Sequence, residues 1–407
     1  MPESKKYKQK LVFVDQTSIG DHHMVFNGAI SEIFCKVYPQ GHLYCYGTDS
    51  SQSSLKRFMP SEVLAAATFV PIRYPKTPKS LFLKLFVYPI KEVIRYRNFK
   101  KIFKSLSKDD VLLLSITTFT SFYLFRRMAR KSEAKLMAVL HGDMDYVYKT
   151  QGIVEKLNGW VHKCIMRISP QENFRYITLN KVTKPILVSD GWLGCNDVFD
   201  IYHPIMSEFE NIPFENKSDI LRLGHIGSME VRRKGSQLLY TLAEMLKEEK
   251  VLSFVTLGLI SPSVYAYKNE YVEEIVGNTA DGRPAYLSRE KYVAELKKLD
   301  YAVLFYPADE YVMRASGALS DILDFLIPIV ALKHPYLAYY QKKYGEIGYL
   351  CKDLEEMKSV LVEMKNNPKK AQDRRKVQVA NLLKIKENSA VDAVAEELRL
   401  LMKKTGW

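Results

Sequence analysis

The segment Gly224-His225-Ile226-Gly227-Ser228-Met229-Glu230-Val231-Arg232-Arg233-Lys234-Gly235 lies between an apolar run and a helical pattern. The run from Leu221 to Ile226 predicts a strand, Gly227 and Ser228 begin a turn, and Ser236 to Lys247 predicts a helix. Backbone N–H groups at the start of a helix favour an anion, and the basic residues of the segment would complete its site. The alternative is a solvated basic turn that ends in a capping glycine.

A second predicted helix start lies further along the chain, where Ser316-Gly317 follows a strand pattern from Tyr301 to Tyr306. Asp321 and Asp324 project from the first two turns of the predicted helix from Gly317 to Phe325. A carboxylate at this place can accept hydrogen bonds from a ribose diol. The alternative is that both acids complement the helix dipole.

Strands alternate with helices in both halves of the chain. In the first half the strands are predicted at Leu11 to Val14, His42 to Tyr46, Val111 to Leu114 and Leu136 to Leu140, with a helix from Met24 to Val37. In the second half further strands are predicted at Leu252 to Leu257 and Ile329 to Leu332, with a helix from Glu290 to Leu299. Because the strands are apolar on both faces, they indicate parallel sheets covered by helices, in an α/β protein with two Rossmann-like halves.

The 407 residues favour two domains of ordinary size. We predict an N-terminal domain over residues 1–205, a C-terminal domain over 206–385 and a closing helix over 386–407 that packs toward the N-terminal domain. Ser389 is the predicted N-cap of that helix. Ligands of doubly wound sheets bind at the carboxyl ends of the strands, so we expect the site in the cleft between the halves.

Two segments carry a resemblance to a known family. Gly227 to Gly235 resembles the glycine and Arg-x-x-Lys-Gly-like segment of family 4 and related GT-B glycosyltransferases. Ser316 to Val330 resembles their E-x7-E region, which ends in glycine, any residue, Pro and Val. The resemblance implies the GT-B fold, a nucleotide-sugar donor in the C-terminal domain and an acceptor in the N-terminal domain.

By position, the resemblance implies that Arg233 and Lys234 bind the donor diphosphate and that Asp321 binds the ribose. The other predicted donor-binding residues are Gly20, Gly227, Ser228, Ser316 and Gly317. Met313 stands where the family has its first glutamate, Asp321 replaces the second, and Leu326 replaces a glycine. The first departure leaves the donor sugar and the retaining or inverting outcome open.

Candidate catalytic residues follow two strands of the first half. Gly20-Asp21-His22-His23 comes after the first strand, and His141 ends the fourth. A carboxylate or a histidine near neutrality can act as base on an acceptor hydroxyl. We rank Asp21 first as base and His141 first for contact with the sugar, with His22 as a further candidate, whereas the alternative for each histidine is a structural role.

Neither a metal nor another cofactor is expected, because the donor is itself a substrate. Asp143-Met144-Asp145 matches the metal motif of the other large glycosyltransferase fold, but a second phosphate-binding half makes that metal unnecessary. The five cysteines are scattered without a C-x-x-C pair, which favours neither a disulfide framework nor a zinc site.

The net charge of +14 is concentrated in one stretch, since Arg73 to Lys108 holds eleven Lys or Arg and one acid, Glu92. Tyr96, Phe99, Phe103 and Leu106 fall on one side of a predicted helix and basic residues on the other. Such a helix can lie on anionic lipid, and the predicted membrane residues are Lys84, Lys91, Arg95, Arg97, Lys101 and Lys104. The alternative is a domain helix whose apolar face is core.

These features together predict a glycosyltransferase of cell-envelope or lipid-linked glycan synthesis. It would be cytoplasmic and peripheral at the inner membrane face, because the polar N-terminus lacks a signal sequence and no apolar run would span a bilayer. Nucleic acid is not expected as a partner, since no RNA- or DNA-binding signature accompanies the basic stretch. The alternatives are a GT-B nucleotide-sugar epimerase or hydrolase, and a non-catalytic protein that binds sugar or nucleic acid.

Overall fold

The computed structural model describes residues 9–18, 23–72, 81–148, 152–169, 171–207, 220–279 and 284–407, without the side chains of 81–85, 143 and 154. Asp21, His22 and Gly20 therefore lie outside the described residues. The chain forms two compact units. Unit 1 comprises Met1–Met206 with Ser389–Trp407, and unit 2 comprises Ser207–Asn388.

Unit 1 is built on a sheet of seven described strands that are parallel throughout, in the order β3-β2-β1-β4-β5-β6-β7. Buried apolar side chains fill its central strands, as predicted for a sheet covered on both faces. The strands are β1 (Gln9–Asp15), β2 (Gly41–Gly47), β3 (Ala67–Pro71), β4 (Val111–Ile116), β5 (Lys135–Leu140), β6 (Phe174–Thr178) and β7 (Val198–Asp200).

The helices of unit 1 cover both faces of that sheet, because right-handed crossovers place the helices after β1 and β2 opposite those after β3, β4 and β5. The first group is α1 (Met24–Val37), α2 (Asp49–Phe58) and α3 (Ser61–Ala65). The second group is α4 (Leu81–Ser105), α5 (Phe119–Ala129) and α6 (Ile153–Met166), and α7 (Thr183–Ser189) follows β6.

Unit 2 repeats the plan with a second sheet, in which the described strands follow the order β11-β10-β9-β8-β12-β13-β14 and only the pair β10 and β11 is antiparallel. The strands are β8 (Leu221–Met229), β9 (Leu252–Ile260), β10 (Val272–Asn278), β11 (Pro284–Ala285), β12 (Tyr301–Leu304), β13 (Ile329–Leu332) and β14 (Gly348–Cys351). The prediction of two Rossmann-like halves is confirmed.

Unit 2 has its own hydrophobic core, in which Leu239, Leu242 and Leu361 are fully buried. Its helices are α8 (Val231–Lys234), α9 (Gln237–Met245), α10 (Arg289–Leu296), α11 (Gly317–Asp324), α12 (Pro335–Tyr344), α13 (Leu354–Asn366) and α14 (Pro368–Ser389). The last helix, α15 (Val391–Lys404), packs on α1 and belongs to unit 1.

Two local predictions are wrong. Gly227 and Ser228 do not begin a turn, because β8 continues to Met229 in register with β9 as far as Ile260. Ser389 is not the N-cap of the closing helix, since it is the last residue of α14 and Ala390 is the extended cap residue of α15. The carbonyl of Ser389 instead accepts a hydrogen bond from the backbone N–H of Ile205 at 2.8 Å.

Candidate functional site

Gly227 and Gly258 face each other where β8 and β9 pair beyond their central residues. Both have positive φ, 91° and 142°, a conformation that favours glycine. A Cβ on Gly258 would lie 2.1 Å from the carbonyl oxygen of Gly227, so the close approach of the two strands also requires glycine there. Because Gly227 has no side chain, a ligand could approach its backbone closely.

Lys234 is the last residue of the short helix α8, which Gly235 ends in the left-handed conformation at φ 62°. The lysine is buried, and its Nζ donates to the carbonyl oxygen of Ile226 at 3.1 Å. A Cβ built on Gly227 would lie 2.9 Å from that Nζ and 3.6 Å from the Cβ of Ala318. The ammonium therefore lies between the end of β8 and the first turn of α11.

Burial lowers the pKa of Lys234 to about 8, although the charges of Glu230 and Asp321 act in the opposite direction. An ammonium held in this way is poorly hydrated. A bound anion would restore favourable interactions for the charged form. The position and the electrostatics of Lys234 thus suit a phosphate-binding cation.

A buried histidine holds the turn that carries this lysine. His225 contacts the carbonyl of Val303 through Nδ1 at 2.7 Å and Ser236 Oγ through Nε2 at 2.9 Å. Since a carbonyl only accepts, Nδ1 carries the proton, and the Ser236 hydroxyl donates to Nε2. Ser236 Oγ also accepts from the backbone N–H of Glu230 at 3.0 Å, so the network fixes both ends of α8.

Burial lowers the pKa of His225 to about 3, and the nearby charge of Lys234 contributes in the same direction. The ring therefore stays neutral beside the lysine. Arg233 differs from Lys234, since it is nearly half exposed and its Nε lies 3.6 Å from a carboxylate oxygen of Glu230. The predicted pair of phosphate-binding residues thus consists of one buried and one exposed cation.

The first turn of α11 lies beside Lys234 and is open at its start. Ser316 caps the helix, since its Oγ accepts from the backbone N–H of Leu319 at 3.2 Å and bonds the Tyr306 hydroxyl at 2.7 Å. Gly317 is exposed, and apart from its chain neighbours and its own helix backbone no described atom lies within 4 Å of the place where its Cβ would be. The structure therefore brings four of the predicted donor-binding residues together around an accessible helix start: Gly227, Lys234, Ser316 and Gly317. Ser228 is half-buried on β8.

Asp321 is engaged by α10. Arg289 Nη1 lies 3.0 Å from its Oδ1, and the Tyr292 hydroxyl donates to Oδ2 at 3.1 Å. Burial raises the pKa of Asp321, while Arg289 and the Tyr292 hydroxyl oppose the shift. A ribose would have to share this carboxylate with the two α10 side chains or displace them.

Asp324 has a different environment, at the other end of α11. Its carboxylate is buried, lies 3.1 Å from Lys386 Nζ and accepts from Ser207 Oγ at 2.9 Å. Lys386 Nζ also donates to the backbone carbonyl of Asp324 at 2.8 Å. This residue therefore anchors α11 to α14.

The segment before α11 is tightly packed. Met313 is buried, and the rings of Tyr306 and Tyr311 stack with centroids 4.1 Å apart. Tyr311 adopts φ 56°, which is uncommon for a residue with a side chain. His334 Nε2 donates to the carbonyl oxygen of Glu310 at 2.7 Å and holds the same loop from α12.

In unit 1 the end of β1 is fixed by a buried polar network. Asp15 accepts from the backbone N–H groups of Thr17 and Ser18, each at 3.0 Å, and from Asn27 Nδ2 at 2.6 Å. Asn27 Oδ1 in turn accepts from Ser115 Oγ at 2.6 Å. The network joins the start of the loop after β1 to α1 and β4.

His141 follows β5, beside the start of α1. Its ring centroid lies 5.4 Å from that of His23 and 5.2 Å from that of Phe26. It also lines a small pocket with His162 and Thr117. The structure thus places His141 beside Thr117, which follows β4, and His162 of α6.

No group of three or more His, Cys, Asp or Glu that could hold a metal ion occurs within the part of the chain that the structure describes. The side chain of Asp143 is not described, and Asp145 is buried in the 3-10 helix Gly142–Val147. The five cysteines are free.

The basic helix α4 departs from its prediction. Phe99 is buried, and Phe103 packs on Phe125 of α5 with centroids 5.3 Å apart, so the predicted lipid-facing side is a core face. Arg95 is also buried and pairs with Glu92, which removes it from the predicted membrane surface. Burial lowers its pKa to about 10.

The other predicted membrane residues of α4 are placed differently. Arg97, Lys101 and Lys104 are exposed, Lys91 is half-buried, and the side chain of Lys84 is not described. Among the described helices, none combines the length and apolar character needed to cross a bilayer.

Comparison with known proteins gives similarity at the level of structure. No protein-family model matches the chain, and no curated protein sequence does. HepE from Anabaena, solved in complex with UDP and glucose, is similar over 97% of this chain and 99% of its own, with a TM-score of 0.64 and 10% identity.

The lipopolysaccharide outer core galactosyltransferase WaaB is similar over 97% of this chain and 99% of its own, with a TM-score of 0.58 and 11% identity. A putative UDP-N-acetylglucosamine 2-epimerase from Listeria monocytogenes is similar over 98% and 96%, with a TM-score of 0.56 and 12% identity. The chain, with its two parallel-sheet units, therefore has the GT-B fold of the glycosyltransferase structures that it matches.

Proposed function

We propose that this protein is a family 4-like glycosyltransferase that moves a sugar from a nucleotide-diphosphate sugar to an acceptor hydroxyl. The observation that carries the proposal is the buried ammonium of Lys234, held between Gly227 and the open first turn of α11. A cation, a bare glycine backbone and a helix start are the features that bind a diphosphate.

In this proposal Lys234 and the N–H groups of Gly317 and Ala318 bind the diphosphate, and Arg233 closes over it from the exposed side. Asp321 receives the ribose diol, with its partners Arg289 and Tyr292 holding the carboxylate in place. The complexes of HepE with UDP and glucose and with UDP-glucose support a uridine nucleotide as the first donor to examine.

The acceptor is assigned to unit 1, at the carboxyl ends of β1, β4 and β5. His141 is proposed to contact the transferred sugar, and Asp21 or His22 to act as base. We further propose a cytoplasmic protein that meets a lipid-linked or envelope glycan at an anionic membrane face. The exposed Arg97, Lys101 and Lys104 support this location.

The proposal is tested by turnover of UDP-, GDP- and TDP-sugars with wild type and Lys234→Met. This change keeps the length of the side chain and removes its charge. We expect one donor class to bind and turn over, and the variant to bind it at least ~10-fold more weakly, as for loss of a charged hydrogen bond. Lys376→Met, at an exposed position of α14, is the control. Equal donor affinity in wild type and Lys234→Met would contradict the phosphate role.

A second candidate is a nucleotide-sugar epimerase, because the Listeria monocytogenes structure has the same fold. An epimerase converts its donor without any acceptor. Incubation with the identified donor alone, followed by analysis of the sugar, separates the two activities. An equilibrium mixture of the donor and its epimer, formed in the absence of acceptor, would favour the epimerase over the transferase.

A further inference from the structure

Helix α6 displays a row of large apolar side chains toward solvent. Ile153 is 87% exposed, Leu157 51% and Trp160 61%. Positions four and three residues apart lie on one side of a helix, and this row covers ~10 Å along the axis at 1.5 Å per residue. The opposite side packs into unit 1 through His162 and Met166, which are buried. The exposed row is therefore an ordered apolar surface on a helix that the core holds in place.

The same face of unit 1 carries a second exposed apolar surface. Helix α5 packs against both α4 and α6, and all three lie on one side of the sheet. On α4, Ile90 is 53% exposed and Val93 is 49% exposed, one turn apart. Large apolar surfaces that remain uncovered on an otherwise folded unit indicate a partner.

The charge of this face identifies the partner. Helices α4, α5 and α6 contain eleven Lys or Arg, of which only Arg95 and Arg126 are buried among the described side chains, and two acidic residues, Glu92 and Glu155. The Glu92 carboxylate pairs with Arg95 and accepts hydrogen bonds from the hydroxyls of Thr118, Thr120 and Ser121. An anionic surface with an apolar interior complements this combination of exposed apolar and basic side chains.

The composition of the row favours lipid over nucleic acid. Ile153 and Leu157 offer no ring on which a base would stack, whereas aliphatic residues with a tryptophan are typical of membrane interfaces. A second copy of the chain would bring two strongly basic faces together, which is electrostatically unfavourable.

We infer that α6 is an interfacial membrane-binding helix. Ile153, Leu157 and Trp160 enter the boundary between headgroups and acyl chains of an anionic bilayer, and the exposed basic residues of α4, α5 and α6 contact its phosphates. The inference rests on the membrane location in the proposed function and assigns it to a specific element. It also replaces the predicted contact through Phe99 and Phe103, since those rings are packed against α5.

The test measures binding of the full chain to vesicles of phosphatidylglycerol with phosphatidylcholine by flotation. Leu157→Glu places a charge in the row, and Leu400→Glu is the matched control. Leu400 is a 58% exposed leucine on α15, which lies on the α1 side of the sheet. We expect Leu157→Glu to weaken vesicle binding about tenfold or more and Leu400→Glu to leave it unchanged. Unchanged thermal unfolding and nucleotide affinity in both variants show that they are folded.

Trp160 provides a second, spectroscopic readout. Its emission should shift to shorter wavelength with anionic vesicles and be quenched by lipids brominated near the headgroup. Both effects should be lost in Trp160→Phe, which retains Trp192 and Trp407. Emission that does not respond to vesicles in the wild type would overturn the insertion.

The outcomes distinguish this inference from the proposed function. If wild type and Leu157→Glu bind vesicles equally, α6 is not the membrane element, and the membrane location stands without it. If wild type does not bind anionic vesicles, both the inference and the membrane location fail, whereas donor turnover is judged separately. If Leu157→Glu turns a dimer into a monomer in sedimentation, the row is an interface between copies, and the inference is overturned.

Discussion

Lys234 is the residue whose protonation should control donor binding. Burial lowers its pKa to about 8, so above that pH the folded chain increasingly holds a neutral amine in the phosphate site. We expect nucleotide affinity to be highest below pH 8 and to fall as the pH rises through 8. Calorimetry near pH 8.5 in buffers of different ionisation enthalpy should show proton uptake on binding. Both effects should vanish in Lys234→Met.

The same lowered pKa has the opposite consequence for stability. Between about pH 8 and the ordinary lysine value of 10.5, the unfolded chain holds a proton on this residue that the folded chain has released. The contribution of Lys234 to the free energy of unfolding therefore rises with pH in this window. Nucleotide affinity that is independent of pH between 7 and 9.5 would contradict the phosphate role and leave the stability effect intact.

Asp321 should determine whether the protein distinguishes ribose from a sugar that lacks its hydroxyls. We expect wild type to bind UDP about tenfold or more tightly than 2′,3′-dideoxy-UDP, because the carboxylate loses its hydrogen bonds to the diol. In Asp321→Ala the two nucleotides should bind equally. If the variant weakens both ligands by the same factor, Asp321 acts only by holding Arg289, with which it pairs at 3.0 Å.

At the level of elements, the position of α11 depends on the buried pair Asp324 and Lys386, whose side chains retain 5% and 11% of their exposure. Lys386→Met should lower the free energy of unfolding by ~3–5 kcal/mol, because it leaves a carboxylate buried without its counter-charge. Chemical denaturation provides the measurement.

The control for this prediction lies on the same helix. Lys376 pairs with Asp373 at 3.1 Å, with both side chains more than 60% exposed. Lys376→Met should change stability by less than ~1 kcal/mol. The double variant Asp324→Asn with Lys386→Met should recover part of the loss, and a loss as large as in the single variant would argue against an uncompensated charge as its cause.

Several elements were predictable because their signals are local. The helix Met24–Val37 and the strand Ile329–Leu332 were predicted with the observed ends, since apolar spacing defines them. Strands β6, β7 and β14 were not predicted, because runs of three to five residues that include polar or aromatic side chains carry a weak pattern. Strand β8 extends beyond its predicted end at Ile226, because pairing with β9 outweighs the turn preference of Gly227 and Ser228.

The candidate site was predictable to the extent that it is contiguous in sequence. Lys234, Gly227 and Ser316-Gly317 stand next to recognisable helix and strand ends. The partners that determine their chemistry are distant along the chain: Arg289 precedes Asp321 by 32 residues, and His225 contacts Val303 across 78. The environment of Arg95 also depends on a residue that is distant in sequence. Thr118, between β4 and α5, contacts both Arg95 and its partner Glu92. Only tertiary contacts reveal such pairs.

At the scale of the whole molecule, each sheet has its own hydrophobic core. The last residues of the chain, Ser389–Trp407, belong to unit 1. Leu398 of α15 is buried in unit 1, and Leu361 of α13 is buried in unit 2. Each Leu→Ala change should remove ~2–5 kcal/mol from the unit that contains it, by loss of buried surface and creation of a cavity. A helix that follows unit 2 in sequence would then be part of unit 1 thermodynamically.

Ligand linkage separates the two units in one experiment. A nucleotide that binds unit 2 stabilises only the folded form of that unit, by ~2.7 kcal/mol at a free concentration of 100 times Kd. In scanning calorimetry we expect the nucleotide to raise the transition that Leu361→Ala lowers and to leave unchanged the one that Leu398→Ala lowers. If there is one transition, and both substitutions lower its midpoint temperature while the nucleotide raises it, the two units unfold together. If the nucleotide raises only the transition that Leu398→Ala lowers, the donor site is in unit 1.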